Sequence, residues 1–235
     1  MYGLVFDGIY QVDDFLLNNG NSYKLKDGLP SYSASMRPGM VKFKDLNGDG
    51  VVNTEDRTII GNPYPKHIGG MFNSFKYKSF DFQFLLQWAY DFDILNGNKS
   101  EFGSTYLSNR NGLSSLNNIW TPTNTETITG GTRYDGINLV IPYGYKLDTR
   151  HIEDGSYLKL KTVVLGYNLP ARFTQKLHLK KCRLSLSAQN LYTWTNYTGY
   201  DPDVSVGRYG ALTPGLDYSA YPQSITLSGG IDITF

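Results

Sequence analysis

Several features that define other protein classes are missing from this 235-residue chain. Its single cysteine, Cys182, excludes an internal disulfide framework. No apolar run reaches the ~18 residues of a membrane-spanning helix. The opening residues lack a basic segment followed by an apolar one, so we expect no signal peptide. The formal net charge of +1 gives no reason to expect a nucleic acid as a partner.

Aromatic residues are plentiful, with 19 Tyr and 12 Phe, a composition that favours strands. The clearest strand is Phe80–Tyr90, in which every second residue is large and apolar or aromatic: Phe80, Phe82, Phe84, Leu86, Trp88 and Tyr90. This period of two predicts one apolar face and one polar face. The strand is long enough to cross a bilayer at a tilt of ~45°. The same pattern also fits a strand that packs on a second sheet in a soluble β-sandwich.

The whole chain is predicted to be all-β, with about six strands. The other five are Gly3–Tyr10, Ile68–Tyr77, Ser156–Leu169, Lys181–Trp194 and Ser224–Phe235. The connections alternate in length, because residues 12–66, 91–155 and 196–223 form long loops whereas 78–79 and 170–180 form short links. Outer-membrane barrels alternate long outer loops with short inner turns in this way. The alternation favours an antiparallel transmembrane β-barrel segment whose three long loops are extracellular.

The sharpest local motif is an acidic loop, DLNGDGVVNTED, at residues 45–56. Oxygen-bearing side chains recur at alternate positions and Gly50 permits a sharp turn, as in EF-hand calcium loops. Three close carboxylates would repel one another without a cation. We therefore expect Ca²⁺, or Mg²⁺ in its place, bound by Asp45, Asn47, Asp49, Asn53, Asp56 and the carbonyl of Val51. Asp56, where Glu is usual, resembles the dockerin type of loop. The alternative is an Asx-rich turn without metal.

No arrangement of residues predicts catalysis, so we do not expect an enzyme. His67, His151 and His178 are isolated in sequence, and no nucleophile motif has a matching base. Aromatic residues in or beside the long loops could stack on sugar rings, pack the loops together or contact a partner protein. They are Tyr106, Trp120, Tyr143, Tyr145, Trp194, Tyr197, Tyr200, Tyr209 and Tyr218. The sequence predicts no particular substrate-binding residue.

Five stretches from Met40 to Phe235 resemble, in order, the carboxy-terminal part of the SusC/RagA family of TonB-dependent outer-membrane transporters of Bacteroidetes. They are PGMVKFKDLNGDGVVNTEDRTIIGNPYPKHIGG, FKYKSFDFQFLLQWAY, YLKLKTVVLGYNLP, RLSLSAQNLYTWTNYTGYDPDV and GGIDITF. The resemblance implies a location in the cell outer membrane and a barrel of about 22 strands, of which residues 1–235 would supply about six. The plug domain and signal peptide of the family are absent from this sequence.

The resemblance also implies a function, the import of nutrients such as glycans or peptides. The implied partners are a SusD-like surface lipoprotein and TonB, which would act through the missing plug. Gly230, Ile233 and Phe235 resemble the terminal signal that the barrel-assembly machinery reads. Six strands would leave two open edges in the lipid bilayer, so the remaining barrel strands of a larger chain or assembly are required. The alternative is a soluble, calcium-stabilised β-sandwich that binds carbohydrate and buries Phe82, Phe84 and Leu86.

Overall fold

The computed structural model divides the chain into two compact units. It describes residues 1–17, 22–103, 111–129, 133–134, 139–140, 147–203 and 214–235. The sheet unit comprises Tyr64–Asp93, Asp154–Val204 and Ala220–Phe235, and the loop unit comprises Met1–Pro63, Ile94–Glu153 and Ser205–Ser219. Each unit is described separately below.

Strands dominate the secondary structure of the described ranges. In chain order they are β1 (Tyr2–Gly3), β2 (Phe6–Ile9), β3 (Phe15–Leu17), β4 (Tyr23–Leu25), β5 (Val41–Phe43), β6 (Thr58–Ile59), β7 (His67–Tyr77), β8 (Phe80–Tyr90), β9 (Asp93–Asn96), β10 (Arg133–Tyr134), β11 (Leu139–Val140), β12 (Ile152–Asp154), β13 (Tyr157–Asn168), β14 (Lys181–Thr195), β15 (Leu216–Asp217) and β16 (Thr226–Thr234). The α-helices are α1 (Gly97–Phe102) and α2 (Ala171–Lys176), and short 3-10 turns span Val12–Asp14, Ser114–Asn118 and Thr149–His151. No helix within the described ranges is both long and apolar enough to cross a membrane.

The sheet unit is built on one antiparallel sheet of five strands, in the order β16-β14-β13-β8-β7. Strands β7 and β8 form a hairpin with the two-residue turn that the sequence predicts, and Lys78 in that turn has a φ of 53°. The link between β13 and β14 holds α2, which starts directly after Pro170, a residue suited to the start of a helix. The strands predicted from the alternating pattern are therefore confirmed, with small differences at their ends.

One irregularity in the sheet is absent from the sequence prediction. Between Leu160 and Thr162 the register of β13 shifts against both of its neighbours. Lys161 is the extra residue against β8, whereas against β14 the extra residue lies on β14, between Gln189 and Tyr192. In β14, Asn190 adopts a φ of 52° at the same place. A bulge of this kind changes which alternate residues share a face. The apolar side of β13 therefore carries even-numbered residues up to Leu160 and odd-numbered residues from Val163 onward.

The loop unit contains short paired strands and two small hydrophobic cores. One core consists of Tyr10, Phe15, Met36 and Met40, with Tyr23, Leu25 and Tyr32 packed against it. The other consists of Leu4, Val41, Phe43 and Val52, with Phe6 and Tyr32 against it. Segments that the sequence predicts to be loop therefore fold as a compact body, and they include the hairpin of β3 and β4.

The predicted first strand, Gly3–Tyr10, also differs from the structure. It is divided into β1, which pairs with β6, and β2, which pairs with β5. Neither belongs to the large sheet, so this sheet has five strands where the sequence predicts about six. The reason is that the partners of β1 and β2 lie more than 30 residues away, beyond the reach of a local pattern.

Candidate functional site: the apolar sheet face and the acidic loop

One face of the five-stranded sheet carries apolar side chains that are exposed. Register places Leu184 and Leu186 of β14 on the same side as Leu227 and Ile231 of β16. Leu186 is 65% exposed and Leu227 is 73% exposed, whereas Phe82 of β8, a strand inside the sheet, is 38% exposed. A β-sandwich would bury such a face against a second sheet. The exposure is typical of strands that face hydrocarbon.

Aromatic residues form a belt at each end of this apolar face. The turn-side belt, next to the short links, consists of Tyr77, Phe80, Tyr167 and Phe235, and the loop-side belt consists of Trp88, Tyr90, Tyr192 and Trp194. Ten residue steps separate Phe80 from Tyr90. At ~3.4 Å per step and a tilt of ~40° they cover about 26 Å, close to the ~25 Å apolar band of outer-membrane barrels.

The opposite face of the sheet carries the alternate, mostly polar residues of β8, which include Asp81, Gln83 and Gln87. Arg183 of β14 reaches across β13 to Asp81 of β8, with 2.5 Å between Nη2 and Oδ2. Asn168 donates to Asp81 Oδ1 at 3.3 Å. A Cβ on Gly166 would lie 2.4 Å from both Arg183 Nη2 and Asp81 Oδ2. Glycine at this position therefore lets the ion pair lie directly on β13.

A buried ion cluster occupies the polar face at the loop end of β13. Lys159 Nζ lies 3.0 Å from Asp201 Oδ1 and 3.2 Å from Asp203 Oδ2, and the Lys159 side chain is only 1% exposed. Tyr157 donates to Asp203 Oδ1 at 3.1 Å and Gln223 Nε2 donates to Asp203 Oδ2 at 3.3 Å. These contacts fix the start and the end of the 196–223 connection to β13.

The sequence analysis does not single out Lys159, Asp201 or Asp203. The sequence signal for this ion cluster is a lysine inside an alternating strand, together with an Asp-Pro-Asp sequence downstream. Because an isolated buried charge is strongly unfavourable, a lysine at a half-buried strand position predicts an acidic partner elsewhere.

In the acidic loop, 45–56, the carboxylates accept hydrogen bonds from the loop's own backbone. Asp45 accepts from the N–H of Gly48 at 2.7 Å and of Gly50 at 2.8 Å. Asp49 accepts from the N–H of Val51 at 2.7 Å. Gly48 and Gly50 have φ values of 78° and 81°, in the region that favours glycine. The motif thus forms successive Asx-type turns.

Asp56 is the buried member of this loop, with no exposed side-chain surface. Its carboxylate accepts from the N–H of Asn53 and of Leu46, each at 2.8 Å. These backbone donors, Asn53 first, hold the pKa of Asp56 below its usual value. Asn47 and Asn53 accept from the N–H groups of Asp49 and Glu55. Among the described residues, no group of three or more His, Cys, Asp or Glu side chains is arranged to hold a metal ion.

The terminal residues predicted to act in barrel assembly lie on or next to β16. Gly230 pairs with Ser185, and a Cβ there would lie 2.8 Å from the Ser185 hydroxyl. Ile233 pairs with Cys182, whose thiol is free and buried. Phe235 is 79% exposed. The structure therefore places these residues at an outer strand of the sheet, where another strand has access to the backbone.

The histidines and loop aromatics that the sequence analysis considered lie in different environments. Burial lowers the pKa of His151. The fully buried Trp120 donates from its indole N–H to Gln11 at 2.8 Å. Tyr197 is also buried, whereas Tyr200 is 79% exposed. Trp194 is 48% exposed and Tyr218 is half-buried. The other four candidates, Tyr106, Tyr143, Tyr145 and Tyr209, lie outside the described residues.

Comparisons with known proteins agree on one class of protein. No protein-family model matches the chain. The chain is 34% identical over 238 residues to TonB-dependent receptor P3 of Formosa agariphila, a match that covers 100% of this chain and 22% of the receptor. It is 27% identical over 209 residues to TonB-dependent receptor SusC of Bacteroides thetaiotaomicron, covering 87% of this chain and 18% of SusC. The chain thus spans about a fifth of the length of these relatives.

Solved structures of the RagAB peptide importer have the same fold over this region. The match to the importer in its closed-closed state has a TM-score of 0.65 and 20% identity. This match covers 100% of this chain and 23% of the importer chain. A further RagAB peptide transporter structure gives a TM-score of 0.65 at 22% identity. At these identities the comparison supports the fold alone.

Proposed function

Since this chain belongs to the SusC/RagA family of TonB-dependent receptors, we propose that it forms part of the barrel wall of an outer-membrane nutrient importer. Members of this family are receptors and transporters of the outer membrane and not enzymes. The five-stranded sheet would supply contiguous strands of the wall. Its apolar face would contact lipid and its polar face would line the interior.

The observation that carries this proposal is the exposed apolar face between two aromatic belts. A water-soluble protein would lose roughly 25 cal/mol for each Å² of apolar surface left in water, and Leu186 and Leu227 alone are more than half exposed. In a bilayer the same surface has no such cost. This surface argues against the alternative of a soluble carbohydrate-binding β-sandwich.

The two outer strands of the sheet, β7 and β16, imply further strands. Each has a neighbour on one side only within the described sheet. Unpaired backbone N–H and C=O groups cost several kcal/mol each in hydrocarbon, so only closed barrels are stable there. We infer that β7 and β16 pair with barrel strands supplied by the rest of a longer polypeptide or by an assembly.

The partners and the cargo follow from the family. We propose a SusD-like surface lipoprotein on the side of the long loops and TonB acting from the other side through a plug. Glycans or peptides are the proposed cargo, because the structural neighbours are described as peptide importers and Tyr200 offers an exposed ring for a sugar. Among the described candidate aromatics of the loops, Trp120 and Tyr197 are buried and are therefore unsuited to stacking on cargo.

Uptake of labelled cargo tests this function. Cells that produce the complete receptor should accumulate labelled oligosaccharides or peptides, and the accumulation should stop when the proton gradient that drives TonB is dissipated. Cells without the receptor gene are the control. Recovery of the protein in the soluble fraction, or uptake that persists without the gene, would contradict the proposal.

We also propose that the acidic loop binds Ca²⁺, or Mg²⁺ in its place, through the six residues named from the sequence. Each carboxylate oxygen has a second lone pair in addition to the one that accepts a backbone hydrogen bond. For Asp45, Asp49 and Asp56 to share one ion, their free lone pairs must turn toward a common centre. The ion would stiffen the loop and would take no part in transport chemistry.

A further inference from the structure

The sheet unit has a groove of about 730 Å³ at the loop-side belt. Its floor is Leu158 of β13 and its walls carry His67, Trp88 and Tyr90 on one side and Tyr192 and Trp194 on the other. All six occupy strand positions whose side chains belong to the apolar face. The groove is therefore on the face that we assign to the bilayer and not on the polar face.

The dimensions of the groove follow from the sheet. One strand, β13, separates the two walls, so the walls stand two strand spacings apart, or about 9.6 Å. A six-membered sugar ring or one acyl chain fits between side chains at this spacing. The apolar face continues from Leu158 toward the short links through Leu160, which pairs with Leu86 and Tyr192.

One wall is held in place by specific contacts. The rings of Trp88 and His67 lie side by side and nearly coplanar, with their centroids 6.0 Å apart and an angle of 11° between their planes. The Trp88 indole N–H donates to His67 Nδ1 at 2.9 Å. A Cβ on Gly69 would lie 2.4 Å from the Trp88 ring, so glycine provides the space that this ring occupies. The ring orientation is thus set by neighbours on β7.

The opposite wall is a second aromatic pair. Tyr192 and Trp194 meet edge to face, with ring centroids 4.8 Å apart and an interplanar angle of 64°. Trp194 is 48% exposed and Tyr192 is 56% exposed. Their free surface faces the groove that Trp88 and Tyr90 border from the other side.

The charge of the groove determines which kind of lipid head group it can bind. None of the described residues that line it is Lys or Arg, and its polar rim includes Asp154, Ser156 and Asn196. Lys66, next to His67, is paired with Asp91 at 2.7 Å. Asp154 is exposed and accepts from the N–H of Ser156 at 2.8 Å. An anionic phosphate would approach an uncompensated carboxylate, whereas sugar hydroxyls would donate to it.

We propose that this groove binds a glycolipid with an uncharged sugar head, from the membrane leaflet on the side of the long loops. The sugar ring stacks on the exposed aromatic faces, its hydroxyl groups bond to Asp154, Ser156 and Asn196, and one acyl chain lies along Leu158 and Leu160. This inference rests on the bilayer-facing assignment of the proposed function, and it adds a lipid site to it.

Lipid retention by the complete receptor tests the site. The receptor is placed in nanodiscs that contain glucosyl-diacylglycerol and phosphatidylglycerol in equal amounts, extracted in mild detergent, and analysed by native mass spectrometry. We expect the glucosyl lipid to be retained in preference. Trp194→Ala should weaken retention roughly 5-fold, the loss expected for one ring contact. Phe82→Ala, on the same face but outside the groove, is the matched control and should retain the lipid.

A charge variant provides a second test that does not depend on the stability of Trp194→Ala. Asp154→Lys changes an exposed side chain and should reverse the preference toward phosphatidylglycerol. Equal retention of both lipids by the unchanged receptor, or a preference that Asp154→Lys leaves intact, would overturn the proposal. Competition by free glucose or maltose that removes the glucosyl lipid would overturn it in favour of a soluble sugar site. Recovery of the receptor in the soluble fraction would instead refute the proposed function.

Discussion

The loop unit has buried hydrophobic cores, whereas the sheet unit exposes apolar side chains on one face of its sheet. In the loop unit Tyr10 is 0% exposed and Met40 and Phe43 are each 2% exposed, as in a water-soluble protein. In the sheet unit Leu186 and Leu227 are 65% and 73% exposed. Because burial of apolar surface is favourable only when the alternative is water, buried cores are expected of a body that folds in water, and an exposed apolar face is expected of a sheet that contacts lipid.

The two units also differ in how they compensate a buried charge. In the sheet unit the buried lysine of β13 has two carboxylates within 3.2 Å. In the acidic loop of the loop unit, Asp56 is buried among backbone N–H groups. The sheet unit therefore neutralises a buried charge with opposite charges, whereas this loop solvates one with amide dipoles.

The largest effect is expected from removing the buried cation of the sheet unit. Lys159→Met would leave Asp201 and Asp203 without their partner, and breaking a buried pair in this way costs about 3–5 kcal/mol. We expect the 196–223 connection to become sensitive to protease while the strands remain assembled. Lys161→Met is the control, because Lys161 is 3.8 Å from Asp203 and 30% exposed. Equal protease sensitivity of the two variants would contradict the assignment.

The next effect distinguishes the two faces of the sheet. Arginine at Phe84, near the middle of the apolar face, should destabilise the inserted protein by roughly 2–4 kcal/mol. Arginine at the adjacent Gln83, on the polar face, should be tolerated. Urea unfolding in lipid vesicles measures both. Similar costs at the two positions would remove the difference between the faces and, with it, the membrane assignment.

A smaller effect is expected in the loop unit when calcium is removed. At ten times its Kd, an ion adds only about 1.4 kcal/mol to the stability of the folded form. Chelation should therefore loosen residues 45–56 and leave the sheet unchanged, as measured by hydrogen exchange. Asp49→Ala should reproduce the effect of the chelator. Glu55→Ala is the matched control, because Glu55 is not a predicted ligand; exchange unaffected by calcium in the unchanged protein would reduce the motif to Asx-type turns.

The smallest change in folded stability is expected at the carboxy terminus. Phe235 is 79% exposed, so its deletion removes little packing. If Phe235 belongs to the assembly signal, the deletion should nevertheless lower the amount of receptor recovered in the outer membrane. Quantitative blotting of membrane fractions measures this amount. An unchanged amount would show that assembly does not depend on this residue.

The sequence predicted the sheet unit better than the loop unit, for a physical reason. Strand β8 alternates without interruption, and both of its predicted ends match the structure. Its neighbour β13 was predicted as a regular strand, because Val163 and Val164 are both apolar and the alternation alone does not mark the residue at which the apolar face changes from even to odd positions. The bulge is a property of how three strands align and not of one strand.

The loop unit and the ion cluster depend on contacts between distant residues. Lys159 and Asp201 are 42 residues apart, and Phe6 pairs with Phe43. A local pattern does not specify such partners. The acidic loop was found from sequence because all its ligand candidates fall within 12 residues, but the directions of their lone pairs depend on backbone geometry that the spacing does not determine.

The most direct test of the central claim is a scan of lipid accessibility along β8. In the complete receptor, Cys182 and any cysteine outside these residues are replaced by Ser, and spin labels are placed one at a time at positions 82 to 87. In bilayers, electron paramagnetic resonance should show high exposure to oxygen, which dissolves in lipid, at positions 82, 84 and 86. Positions 83, 85 and 87 should show low oxygen exposure. Equal values at even and odd positions would contradict the account.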